Sequence, residues 1–451
     1  MIELTIPKEW RAIKVCDTGV LIKGINYKKH EARNAHEPGL KPILRANNIN
    51  GNLNFEDLVY VPEKRIVSQQ YIERHDILFC MSSGSKHLVG KSSQAEKNFD
   101  GSYGAFCALF RPLPAINPRF VGYFFQAPRY RKFISAISKG TNINNLKREH
   151  ILDIDFCLPS SQEQNQIVDS LEELLSDLDN AIENLKKAQA QLKVYRRAIL
   201  KKAFIGKWNK VPLQNISEAV GGCAFKSSSF IEQGVYQVIR IGNVRPGLIR
   251  LSVSPIFLDS IDEKIASKYL LIPGDVIISL TGTRKKRDYG YTAVVKERHL
   301  LLNQRLAYLR FNETCLPEFF LYYSWTESFK DSFFASETGN VGQGNVGMKA
   351  IQSTEIPLPS RQEQKQIVQS IESRFSVCDM MEESIVENLQ KAEALRQSIL
   401  KEAFEGNLTE EWRKKHKDLI SGENSAEALL IKIKAEKEAL QGKSKGKQDH
   451  D

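Results

Sequence analysis

Few residues of this chain are spaced for chemistry. Gly84-Ser-Lys-His-Leu-Val-Gly90-Lys91-Ser92 has the glycines, lysine and hydroxyl of a phosphate-binding loop. Five residues separate its glycines where four are required, and Asn98-Phe-Asp-Gly-Ser-Tyr-Gly104 follows in place of a helix. The eight histidines (His30, His36, His75, His87, His150, His299, His416, His450) have neither metal spacing nor a nucleophile to activate. Seven cysteines stand singly, never as C-x-x-C, which supports neither a disulfide framework nor a zinc site. Asp153 and Asp155 could serve as metal ligands, yet they fall in an alternating stretch, Ile151 to Leu158, that reads as a strand or sheet edge. No G-x-G-x-x-G follows a strand, and the absence of Pro-Pro excludes the Asn-Pro-Pro-aromatic loop of amino-methyltransferases. The expectation is a chain with no catalytic residue, no metal and no cofactor of its own.

What remains is binding. The net charge is +10, and residues 1–157 and 207–357 carry +8 and +4 of it, so the excess sits in two segments suited to gripping a polyanion. Lys23, Lys28, Lys29 and Arg33 cluster early. Lys86 and Lys91 follow Ser82-Ser83-Gly84-Ser85, and Arg284, Lys285, Lys286 and Arg287 follow Thr281-Gly282-Thr283. Such loops bring backbone N–H groups and hydroxyls to phosphates, while Arg, Asn and Gln can read base edges. Arg45, Asn47 and Asn48, and their counterparts Arg240 and Asn243, carry suitable donors. Asn142, Asn144, Asn145, Lys226, Arg245, Asn340, Gln343 and Asn345 complete the candidate set.

The elements that must hold these residues occur twice. Residues 158–206 and 358–406 align without a gap, with 21 of 49 positions identical: Leu158-Pro-Ser-Ser-Gln-Glu-Gln returns as Leu358-Pro-Ser-Arg-Gln-Glu-Gln, and Ile199-Leu-Lys-Lys-Ala-Phe-Ile-Gly206 as Ile399-Leu-Lys-Glu-Ala-Phe-Glu-Gly406. The segments before them correspond more faintly. His75-Asp76-Ile matches Gly274-Asp275-Val, and Leu44-Arg45 matches Ile239-Arg240. After Gly406, Glu411-Trp412-Arg413 echoes Glu9-Trp10-Arg11, which predicts that the two ends of the chain meet.

Ile167, Leu171, Leu174, Leu178, Leu185, Leu192 and Ile199 fall on a heptad seam with no Gly or Pro inside, continued by Ile367, Ile371, Met381, Ile385, Leu395 and Ile399 in the second copy. Arg374 and Asn388 share that stripe, as residues that fix register. Each helix starts where one domain ends, so paired helices must run antiparallel. The fold class expected is α+β: two similar mixed α/β domains, 1–157 and 207–357, separated by helices 158–206 and 358–406 that form an antiparallel coiled coil with pseudo-twofold symmetry. A helical tail, 407–451, follows, its end disordered. No apolar run is long enough to span a membrane and no signal-peptide core opens the chain, which argues for the cytoplasm.

Two variable domains alternating with helices that begin Leu-Pro-Ser-x-Gln-Glu-Gln and end Ile-Leu-Lys-x-Ala-Phe-x-Gly resemble the specificity subunit of type I restriction–modification enzymes. Leu44-Arg-Ala-Asn-Asn-Ile49, Met81-Ser-Ser-Gly-Ser85 and Leu419-Ile-Ser-Gly-Glu-Asn-Ser425 are further points of similarity, to its enterobacterial-type branch. The resemblance implies that each domain recognises one half of a split, asymmetric double-stranded DNA target, with the coiled coil setting the unread spacer. It implies two methyltransferase subunits docked on the helices and tail, and two restriction (motor-nuclease) subunits joined to that core. S-adenosylmethionine, ATP and Mg²⁺ would then belong to partners, which would supply the adenine-N6 methylation and ATP-dependent cleavage of a bacterial, cytoplasmic complex. The alternative is a stand-alone DNA-binding protein, a repressor or an anti-restriction variant. A scaffold whose basic domains bind RNA or acidic proteins is a third class.

Overall fold

The computed structural model describes residues 6–84, 88–140, 145–340 and 342–445. It divides into two units, residues 1–184 with 388–451, and residues 185–387.

In the first unit the fully apolar strand Ile77–Cys80 is buried on both faces at the centre of an antiparallel sheet ordered Gly19–Lys23, Cys107–Pro112, Ile77–Cys80, Ser92–Gln94. Alternation divides its side chains between two cores. Ile77 and Phe79 join Phe110, Phe120 and Phe125 beneath the helices Pro118–Phe124 and Pro128–Gly140. Leu78 joins Leu44, Tyr103 and Leu109 against a second sheet, Val59–Pro62, Leu40–Leu44 and Ser102–Tyr103, whose last pair is parallel. Arg11–Lys14 pairs with Asp155–Leu158 and closes the domain's start on its end. Only Asp155–Leu158 is strand; Ile151 lies in a helical turn, Glu149–Leu152. Asp155 is an ion-pair partner of Lys14 at 2.5 Å. The loop-like Gly90-Lys91-Ser92 runs into the edge strand Ser92–Gln94.

The second unit repeats this plan. Its sheet is ordered Ser217–Gly221, Leu306–Phe311, Val276–Ser279, Thr292–Val294, and its second sheet again holds a parallel pair, Tyr236–Ile239 with Leu300–Leu302. Lys210–Pro212 closes on Glu355–Pro357. A bidentate ion pair is duplicated too. Arg111 reaches the buried Asp76 at 2.8 and 2.6 Å, and Arg310 reaches the buried Asp275 at 2.8 Å through both nitrogens. Each carboxylate also accepts a backbone N–H three residues upstream, which pins the turn entering the central strand. That turn needs a left-handed residue, filled by His75 (φ 74°) in one domain and Gly274 (φ 97°) in the other.

Helix α1 (Ser161–Ala203) and helix α2 (Arg361–Glu405) follow the two domains. The repeated Gln-Glu-Gln opens each helix onto its own domain. Buried Gln164 accepts from the Asn117 N–H at 3.0 Å, and buried Gln364 accepts from the Leu316 N–H at 2.8 Å. The start of α1 shares a unit with the end of α2, and the end of α1 shares the other with the start of α2, which is antiparallel pairing. Equivalent ion pairs form in each unit: Arg396 with Asp179, and Arg196 with Asp379.

The buried seam differs by one position from the expected frame. Ile167, Leu171, Leu178, Leu192, Ile199, Ile371 and Ile385 are buried, and Leu185, Ile367 and Ile399 half-buried. Leu174, Met381 and Leu395 are instead exposed, at 41, 53 and 52 %. Leu175 and Phe375 take the inner place, and Arg374 and Asn388 lie on the exposed stripe. Arg196 occupies an inner position because its guanidinium covers the Phe375 ring at 5.2 Å while pairing with Asp379 and Glu382.

The ends of the described chain meet. Glu163 in the first turn of α1 accepts from Trp10 Nε1 at 2.9 Å, Thr409 Oγ1 at 2.8 Å and Arg413 Nε at 2.9 Å, and Arg413 lies 5.6 Å from the Trp10 ring. The tail helix α3 (Ala426–Lys445) buries Leu429 and Ile433 in the first domain's core and is tied by Lys437 to Asp17 at 2.9 Å and Glu427 to Arg11 at 2.6 Å. The expected disorder concerns residues 446–451, outside the described residues.

Candidate nucleic-acid interface

At one end of the first domain's central sheet, four segments are stitched together by backbone hydrogen bonds. The Gly24 N–H donates to the Cys107 carbonyl at 3.3 Å, those of Met81 and Ser82 donate to the Phe106 carbonyl at 2.8 and 3.1 Å, and that of Leu146 donates to the Met81 carbonyl at 2.7 Å. The Gly104 N–H donates to the Leu44 carbonyl at 2.9 Å, which brings Arg45 to the same edge. Gly24 is required there, since a Cβ would lie 2.2 Å from the Gly104 carbonyl oxygen. Lys23, Arg45, Ser82 and Asn145, scattered over 120 residues, thus border one rim, and the Ser82 hydroxyl bonds the Asn145 side chain.

The second domain builds the same rim. Gly222 donates to Leu306 at 2.9 Å, Leu280 to Arg305 at 2.9 Å, Val346 to Leu280 at 2.9 Å, and Asn303 to Ile239 at 3.1 Å. A Cβ on Gly222 would lie 2.0 Å from the Asn303 carbonyl. Thr281–Thr283 pairs with Gln343–Asn345, and Thr281 Oγ1 reaches the Asn345 amide oxygen at 2.9 Å. Arg284, Lys285, Lys286 and Arg287 project from the turn after this ribbon, all exposed. The turn is shaped by Asp288, whose carboxylate accepts the Thr283 N–H at 2.6 Å. That hydrogen bond holds the Asp288 carboxyl below its ordinary range, so it stays charged within the basic cluster. Arg284 is partly neutralised by Glu337 at 3.2 Å; Arg287 lies over the Phe334 ring at 4.8 Å.

Other candidates have different settings. Lys28, Lys29 and Arg33 are exposed on the segment leading to the second sheet, as is Lys226 in the other domain. Asn47, Asn340 and Gln343 are exposed, and Ser83, Lys91 and Arg245 half-buried. Arg45 and Arg240 hold turns: Arg45 Nη2 donates to the Asp57 carbonyl at 2.8 Å and Arg240 Nη2 to the Ser254 carbonyl at 2.6 Å, both acceptors being left-handed residues. Asn48 and Asn243 are turned into the fold and away from the rim surface. Each is buried, accepts the backbone N–H of Arg45 or Arg240, and donates to two carbonyls, Asn54 and Glu56 or Arg250 and Val253. Their amides are fully used inside the fold. Ser85, Lys86, Asn142 and Asn144 lie outside the described residues.

The model of the type I restriction modification DNA specificity domain matches this chain twice, over residues 7–193 and 205–391. The chain belongs to this family. It is similar to the specificity subunit of the type I restriction enzyme EcoKI of Escherichia coli K12, at 33 % identity over 97 % of both chains. It is 32 % identical to the StySPI specificity subunit of Salmonella potsdam, again over 97 % of each. A solved chain from a study of assembly and conformational transition of the type I R-M system shares the fold, with a TM-score of 0.69 at 18 % identity over 89 % of this chain and 99 % of that one. As a DNA-specificity chain it recognises DNA and is not itself the enzyme. In each matched domain of this chain the rim gathers cations, hydroxyls and amides from several separate segments.

The turns Gly104–Cys107 and Asn303–Leu306 went unnoticed in sequence. Their tips, Phe106 and Arg305, stand exposed at the middle of each rim. The available signal was glycine at both 24 and 222, opposite the turn.

Proposed function

We propose that this chain reads an asymmetric, bipartite double-stranded DNA target, one half per domain. The observation that carries the reading is the duplicated rim: one backbone scaffold, built twice, with different side chains on it. Lys23, Ser82 and Phe106 stand in one domain where Gly221, Thr281 and Arg305 stand in the other, while Asn145 and Asn345 are the same residue in both. A shared scaffold with divergent tips suits two different half-sites. The lysines and arginines around the rims add affinity that falls steeply with salt, and the polar tips add discrimination.

The helices carry the second part. Leu174 and Tyr195 on α1, and Met381 and Leu395 on α2, lie on the exposed heptad stripe beside the seam. Apolar residues at heptad spacing outside a filled seam suit a further helix laid along the pair. We assign this stripe to methyltransferase subunits, two per chain to match the duplication, with two restriction subunits completing a cytoplasmic assembly. S-adenosylmethionine, ATP and Mg²⁺ belong to those partners.

The test is to co-express the chain with the candidate methyltransferase and restriction subunits, and to footprint the purified assembly on genomic fragments. Protection of one bipartite sequence by a complex containing the methyltransferase supports the reading. A tight complex of the lone chain with DNA that excludes the methyltransferase would favour a repressor. Equal retention of RNA and DNA would overturn both.

A further inference from the structure

Phe106 is 69 % exposed and belongs to none of the apolar clusters formed by the described residues of its domain. Its backbone is rigidly held, because its carbonyl accepts two N–H groups from the Met81-Ser82 segment and the turn behind it packs on Gly24. A ring held in water at the centre of a polar rim contributes nothing to the domain's own core. The equivalent turn of the second domain is held by one such bond, the Leu280 N–H to the Arg305 carbonyl at 2.9 Å, packs on Gly222 in the same way, and places Arg305 at the tip. Arg305 is exposed and its backbone is left-handed (φ 69°), a conformation that side-chain-bearing residues adopt at a cost. None of its side-chain nitrogens has a partner among the described residues that would offset that cost inside the fold.

We infer that the tip of this turn is a base-reading position in both domains, Phe106 contacting the methyl group of a thymine and Arg305 a guanine. The inference rests on the DNA reading proposed above and adds to it which residues discriminate and for what. The chemistry follows from the side chains. A phenyl ring offers no hydrogen bond, so among major-groove edges it favours the apolar C5 methyl of thymine; a guanidinium matches the paired O6 and N7 acceptors of guanine. Both turns are short and fixed by main-chain hydrogen bonds, so each presents its side chain from one defined backbone position along the groove.

The experiment uses the full chain in complex with its methyltransferase partner, on duplexes in which each base pair of the footprinted target is replaced in turn. Phe106→Ala is expected to flatten the preference at one thymine in one half-site by about tenfold, with the other half unchanged. Replacing that thymine by uracil, which removes only the methyl, should weaken the wild-type complex by a similar factor and leave the Phe106→Ala complex unaffected. Arg305→Gly should flatten the preference at one guanine in the other half-site while raising the thermal midpoint, because glycine adopts the positive φ without strain. Loss spread evenly over all sequences would mark phosphate contacts and overturn the assignment. So would a wild-type complex that is specific yet keeps its profile in both variants, with the general reading left standing. A wild-type complex with no sequence preference would remove the reading and this inference together.

Discussion

One asparagine in each domain carries three hydrogen bonds of a turn that places an arginine on the rim. Asn48 accepts at 2.8 Å from the Arg45 N–H and donates at 2.9 Å to the carbonyls of both Asn54 and Glu56. An aspartate has the same shape but only accepts, so Asn48→Asp would face two buried carbonyls with a carboxylate. We expect it to destabilise the chain by about 3 kcal/mol, seen in thermal or denaturant unfolding, while the DNA sequence recognised by the surviving folded fraction stays the same. A changed base preference without loss of stability would mean that the amide reads DNA after all. The recurrence of Arg-x-x-Asn was legible in sequence, and so was its importance. Its direction was not, because an amide that reads a base and one that braces a turn are the same residue, and burial alone separates them. Asp76 and Asp275 show the converse: the repeat marked their correspondence, but their partners Arg111 and Arg310 lie 35 residues further on, joined only once the central strands pair.

The long helices were legible as elements because 43 and 45 residues run without an interior proline or glycine. Their inner face was legible at one heptad position and misjudged at the other. Leu174-Leu175 and Ala181-Ile182 are apolar in either frame, and Ala188 beside Gln189 and Tyr195 beside Arg196 favoured the wrong one. Packing reverses that choice, since Arg196 covers Phe375 and pairs with Asp379, as Arg396 pairs with Asp179. Exchanging charges within one pair tests the frame: Arg396→Asp alone should cost about 1 kcal/mol, and adding Asp179→Arg should recover most of it, measured as a double-mutant cycle. The tail helix α3 makes a pH-dependent version of the same argument. Burial alone would raise the Asp17 carboxyl, but hydrogen bonds from Lys437 and from the Lys14 backbone outweigh it and hold the group below its ordinary value. A lowered folded pKa contributes stability that is present above the unfolded value, about 3.9, and lost as pH falls through the folded one. Protease cleavage within α3 should therefore rise on acidification below about pH 4, and Asp17→Asn should show raised cleavage already at neutral pH.

At the scale of the molecule, each long helix begins in one unit and ends in the other, so the chain between the two readers is helix in both directions. If the helices set the spacing between half-sites, their length must be convertible into base pairs. Whole heptads are the right unit of insertion, because seven residues preserve which face meets the partner helix and four would rotate the seam out of contact. One heptad adds about 10.5 Å, equivalent to about three base pairs, and leaves the second half-site rotated around the duplex. Three heptads add about 31.5 Å, close to the 34–36 Å of a full DNA turn, and return it to the same side. Inserting one heptad into α1 after Asn184 and one into α2 after Glu387, where the units divide, should therefore depress methylation of any site. Inserting three in each should restore it on a target whose unread spacer is longer by about nine or ten base pairs and whose two half-sites are unchanged. Methylome sequencing of cells carrying each variant with the partner subunits measures both quantities at once. An unchanged spacer in the three-heptad variant would show that something other than these helices sets the distance, and an altered half-site would show that the domains do not read independently.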